Sequence, residues 1–157
     1  MNAKYEKALE MATAAYQGKK DSLGNDFIDH SINVSNRCRS INEKLVALFS
    51  GSLGRTNISI EDIRINFGST VSDAVLALTR KKDEPFKEYL RRIKANPVAR
   101  AVKLEDIKYR IDQLDGGSFQ NLCDEYLTCR GYGIRHSPLG MMTGTSKTAK
   151  GNPDTYF

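Results

Sequence analysis

Residues 47–63 read ALFSGSLGRTNISIEDI. The stretch opens as an apolar helix on Ala47, Leu48 and Phe49, and it closes on Ser59-Ile60-Glu61-Asp62, the Ser-x-x-acid pattern that starts a new helix. Between them stand Ser50, Gly51, Ser52, Gly54 and Arg55, small groups and one cation. Glycine inside a helix costs about 1 kcal/mol relative to alanine. Gly51 and Gly54 therefore predict a helix that stops near Phe49 and a loop that runs to Ser59.

The same reading extends outward in both directions. Tyr5, Leu9, Ala12 and Tyr16 recur at spacings of four, three and four, one face of an amphipathic helix over residues 3–17 that Gly18 ends. A polar loop follows, and Phe27-Ile28 leads into a helix around residues 30–38. Ile41, Leu45, Leu48 and Phe49 mark another. Phe67-Gly68 closes the helix that Ser59 starts. Val71, Val75 and Leu78 define one ending near Thr79. Phe86, Tyr89, Leu90 and Ile93 define the next, with Asn96-Pro97 as its stop. A long helix then runs from Val98 to Leu114, and Asp115-Gly116-Gly117 breaks it. No segment alternates with period two, so the predicted class is all-α. The predicted division is a helical domain over 1–117 and a segment over 118–157. That segment holds one more helix, capped by Ser118 and ended by Gly131, then an irregular tail rich in Gly, Thr and Lys.

Composition narrows the function classes. A chain of 157 residues is about one ordinary domain. No apolar run approaches the roughly 20 residues of a membrane span, and charges interrupt the N-terminus where a signal peptide would need an apolar run. The expectation is a cytoplasmic protein with no membrane partner. Cys38, Cys123 and Cys129 lack CxxC spacing, so buried or half-exposed thiols are expected. The net charge of +5 favours anionic partners, although the basic residues read as spread along the chain among acids. Gly-Thr-Ser-Lys-Thr at 144–148 is no phosphate loop, because Lys147 follows Ser146 and no apolar strand precedes it. His30 and His136 are the chain's two histidines and lie far apart in sequence.

The pieces also form an ordered series: GKKDSLGNDFIDH at 18–30, ALFSGSLGRTNISIEDI, Phe67-Gly68, ALTR at 77–80, and EPFKEYLRRIKANPVARAVKLEDI at 84–107. This series resembles small HD-domain phosphohydrolases related to the RelA/SpoT-type alarmone hydrolases, over residues 5–114. The resemblance implies an HD-domain-like helical bundle around one divalent cation, commonly Mn²⁺. That cation is held by a His, an adjacent His-Asp pair and a distant Asp, with a Glu-Asp pair activating water. The implied chemistry is metal-assisted hydrolysis of a phosphate ester or pyrophosphate.

Carried over by position, the first ligand is His30 and the last is Asp106. The His-Asp pair is replaced by Ser50-Gly51 and the Glu-Asp pair by Gly54-Arg55. A downstream Asn of the pattern is changed near Arg110. His30 and Asp106 are residual ligands of an incomplete site, since catalytic metals keep three or more protein ligands. Arg55 would repel a cation and could pair with Asp106 in its place. No catalytic residue and no cofactor are expected, with Mn²⁺ the metal if any binds.

The resemblance also places Lys19 and Lys20 at the nucleotide, and with Arg55 they are the candidate nucleotide contacts. The expected role is a phosphohydrolase-like protein that has lost catalysis and binds a guanosine or other nucleotide polyphosphate, or serves as an interaction domain. One alternative is an active nucleotide pyrophosphohydrolase with a site rebuilt from Asp26, Asp29, Glu105 or His136. A second rests on a weaker resemblance of SFQNLCDEYLTCRGYG and the tail to the opening of PD-(D/E)xK nucleases. There Asp154 would be the first acid and nucleic acid the partner, with Lys147 and Lys150 in support. The further acid and lysine that such a site needs are absent from the sequence, which stops at Phe157.

Overall fold

The computed structural model describes residues 2–20, 24–113, 123, 126–131, 135–136 and 155–156. Its described elements are α1 (Ala3–Tyr16), α2 (Phe27–Arg37), α3 (Ile41–Phe49), α4 (Ile60–Phe67), α5 (Ser69–Leu78), α6 (Phe86–Ala95) and α7 (Pro97–Asp112), then β1 (Arg135–His136) and β2 (Thr155–Tyr156). The predicted all-α class holds. Within the segment expected to be an irregular tail, Arg135 pairs with Tyr156 and His136 with Thr155 in a short antiparallel ladder. The expected break at Asp115-Gly116-Gly117 and the expected cap Ser118 lie outside the described residues. Cys123 and residues 126–130 are helical, and Gly131, at φ +96°, follows them.

The chain divides into two compact units, Met1–Glu105 and Asp106–Phe157. The first unit is built around α3. Leu45, Val46, Ala47, Leu48 and Phe49 are five consecutive buried residues, the pattern of a helix enclosed on all sides. Neighbours α1, α2 and α5 enclose it, α4 lies against α5, and α5 against α6. The Phe49 and Phe67 rings meet at 5.2 Å, tying the end of α3 to the end of α4.

Local chemistry sets the helix ends. Ser40 and Ser59 each accept from the backbone N–H three residues on, and Glu43 and Asp62 accept in return from the cap N–H, so both α3 and α4 start on a full capping box. Pro97 occupies the first turn of α7, where its missing N–H has no consequence. In α1 the buried face is Ala8, Ala12 and Tyr16, with Tyr5 and Leu9 only half-buried at its margin. Helix α2 begins at Phe27, three residues before the predicted start, so His30 lies inside the first turn rather than opening the helix.

Candidate functional site

Helix α3 ends at Phe49 and α4 starts after Ser59, with Gly51 at φ +86° and Gly54 at φ +80° in the loop between. The predicted interruption is therefore present. The loop is knitted by its own backbone. Ser52 N–H donates to the Phe49 carbonyl at 3.0 Å, and the Ser52 carbonyl accepts from Arg55 N–H, Thr56 N–H and the Thr56 hydroxyl. Because α3 is enclosed, its end delivers this loop to the inner edge of α1 and α2.

Three side chains define the place where the loop lands. The Tyr16 hydroxyl donates to the Ser50 carbonyl at 3.3 Å. Burial pushes the Tyr16 phenol far up from its ordinary value, while Ser52, the Arg55 charge and Ser31 pull weakly the other way. The Phe27 ring lies 4.9 Å from that of Tyr16 and 6.2 Å from that of His30. The Arg55 guanidinium sits over Phe27 at 4.9 Å from the ring centre, a cation–π contact on an exposed arginine. Gly51 approaches the same ring so closely that a Cβ there would lie 3.2 Å from Phe27 Cζ. Ser52 Oγ, though close to Tyr16, is buried without a well-formed hydrogen bond among the described residues.

The candidate residues are distributed as follows. His30 is in α2 and Asp106 in α7, the latter within the second unit. Ser50, Gly51, Gly54 and Arg55 are all in the loop. Lys20 pairs with Asp26 at 2.9 Å on the surface. Lys19 is exposed and its backbone ties the end of α1 to the start of α2, donating to the Tyr16 carbonyl and accepting from Phe27 N–H. His136 lies in β1, whereas Lys147, Lys150 and Asp154 lie outside the described residues. Two parts of the site are not singled out in the sequence, where Tyr16 counts as one position of an amphipathic face and Phe27 as the lead into the next helix. The signal available for Phe27 was its place three residues before His30.

The donor set among the described residues does not fit a catalytic divalent cation. Among the described residues no three His, Cys, Asp or Glu side chains gather as a metal would require, and Asp26, Asp29 and Glu105 supply no replacement cluster. Where the resemblance implies imidazole and carboxylates, a hydroxyl, two glycines and a guanidinium stand instead. The cysteines offer nothing either. Burial, with Glu43 and Glu105 nearby, pushes the Cys38 thiol up to about 12. Cys129 is buried and Cys123 half-buried.

No protein-family model and no curated protein matches the chain. Among the solved structures that match is one of a metazoan ortholog of SpoT that hydrolyzes ppGpp and plays a role in starvation responses. Its TM-score is 0.62 at 21% identity, covering 82% of this chain and 86% of that one. The chain thus has an HD-phosphohydrolase-like, all-α fold, and the expected relation to RelA/SpoT-type hydrolases is met at the level of fold. No described helix is long and apolar enough to cross a membrane.

Proposed function

We propose that this chain is a non-catalytic member of the HD-like fold that binds a nucleotide polyphosphate without metal. The observation that carries the reading is the loop after α3, where Gly51, Gly54 and Arg55 stand in place of carboxylates and the Arg55 guanidinium is held over Phe27. Three carboxylates of the resembled pattern are absent and one guanidinium is added. A cluster of acids needs a cation to neutralise it, whereas a fixed guanidinium suits a phosphate directly. The likeness to a protein described as hydrolyzing ppGpp makes a guanosine polyphosphate the first ligand to try. Arg55 and Lys19 are the proposed phosphate contacts. Lys20 would have to leave Asp26 to join them.

The test is a calorimetric titration of chelator-stripped protein. The expected outcome is no specific Mn²⁺ site, together with metal-free binding of guanosine tetraphosphate that weakens at least about tenfold in Arg55→Ala, the loss of one charge-assisted contact. One tight Mn²⁺ site, with turnover abolished by His30→Ala, would instead establish a rebuilt pyrophosphohydrolase. Absence of binding by any nucleotide would leave an interaction domain.

A further inference from the structure

The positive charge is not spread evenly. Residues 80–100 contain eight Lys and Arg against three Asp and Glu, an excess of five that equals the net charge of the whole chain. The rest of the sequence is neutral in sum. Within the segment the Arg80 guanidinium donates to the Glu84 carbonyl at 3.0 Å, and the most firmly held cation is Arg92. It pairs with Glu84 at 2.6 Å and also donates to the Leu76 and Thr79 carbonyls, fastening α6 to the end of α5. The other seven are all exposed, Arg100 in α7 and, nearer together, Arg80, Lys81, Lys82, Lys87, Arg91 and Lys94.

Their arrangement is ordered. Tyr89, Leu90 and Ile93 bury one face of α6. Lys87, Arg91 and Lys94, at spacings of four and three, share a stripe beside that face, about 10 Å long at the helix rise. Glu88 is the one acid of α6, and it pairs with Arg91. At the N-terminal end of the stripe Phe86 is 46% exposed, one of three large apolar side chains exposed among the described residues. The Arg80 guanidinium lies 5.7 Å over its ring, and the Tyr89 ring supports it at 6.1 Å. A row of cations leading to an aromatic ring layered with a guanidinium is what an unpaired nucleotide strand uses: phosphates on the cations, a base on the π-face or on the arginine plane.

We infer that the outer face of α6, with the Arg80–Lys82 loop, binds single-stranded nucleic acid. An acidic peptide would use the cations but leave the exposed Phe86 ring without a role. A duplex would keep its bases from stacking on them. The site shares no residue with the loop after α3, so the inference stands apart from the metal-free nucleotide reading.

Fluorescence anisotropy of the full chain with a short labelled oligouridylate and oligothymidylate tests it, with circular dichroism to verify that each variant is folded. Binding should weaken with salt at a log–log slope of about −2, as three phosphate contacts require. Lys87→Glu/Arg91→Glu/Lys94→Glu should reduce affinity at least about tenfold, and Phe86→Ala about fivefold at fixed salt. The milder Lys87→Ala/Lys94→Ala variant, which alters two exposed side chains, should shift affinity the same way. No binding, or binding that ignores these variants, would overturn the inference. So would equal affinity for a duplex with no effect of Phe86→Ala, or equal displacement by poly-glutamate at matched charge. The last result would mark the face as one for acidic proteins.

Discussion

Gly51 and Gly54 differ in a way that isolates one contact. Both have positive φ, but a Cβ at Gly54 meets nothing within 4 Å, whereas one at Gly51 meets Phe27 at 3.2 Å. Gly54→Ala should cost about 1–2 kcal/mol, the backbone penalty alone, and Gly51→Ala measurably more, as read by urea denaturation. Equal losses would mean that Phe27 yields freely. The same geometry means that Gly51→Asp should not restore a metal ligand, because the new side chain is strained before any ion arrives. Ser52 runs the other way. Its buried hydroxyl has no well-formed partner among the described residues, so Ser52→Ala should be neutral or stabilise by up to about 1 kcal/mol. A clear loss in the same measurement would reveal a partner, such as a buried water.

At the scale of elements, the Ser59 cap was readable in the sequence, and the structure adds one of the same kind at Ser40, because each is a local bargain among four neighbouring residues. Removing one, as in Ser40→Ala or Ser59→Ala, should lower stability by about 1 kcal/mol, seen as a drop in denaturation midpoint with unchanged slope. The caps and clamps also set a pH response. Hydrogen bonds from Ser59 hold the Asp62 carboxyl below its ordinary 3.8, and Arg92 holds Glu84 below its ordinary 4.5. A carboxyl whose folded pKa is lowered stabilises the fold only while ionised. Its contribution is full above the ordinary value and is lost as pH falls through the folded one. Stability should therefore decline on acidification below about pH 4. Glu84→Gln should flatten that decline, which urea midpoints at successive pH values would show.

For the whole molecule, the legible part of the fold was its succession of helices. Apolar spacing located the helix before Phe49 and those over Phe86–Ala95 and Pro97–Asp112, because burial of one face repeats at the helical period, whereas the Ser59 cap and Phe67-Gly68 located Ile60–Phe67. The resemblance read over residues 5–114 goes with a fold likeness at TM-score 0.62 and 21% identity, since many apolar sequences satisfy one arrangement of buried faces. The chemistry of the site was legible only as replacements: Ser50, Gly51, Gly54 and Arg55 standing where a resembled pattern has ligands. Which ring Arg55 lies over was not, because Phe27 lies 28 residues from it in the sequence.

The sequence by itself determined the all-α class, the stop of α3 at Phe49 and the start of α4 after Ser59, since glycine entropy and capping hydrogen bonds act over a few residues. Only the tertiary structure decided that α3 would be the enclosed helix, and that its end would carry the loop to Tyr16 and Phe27. It also decided that Arg55 would lie on an aromatic face and that Phe86, at the head of the α6 cations, would stay exposed with Arg80 over its ring. Those outcomes depend on which faces of several helices are buried together, and the packing of distant segments sets them where local preference cannot.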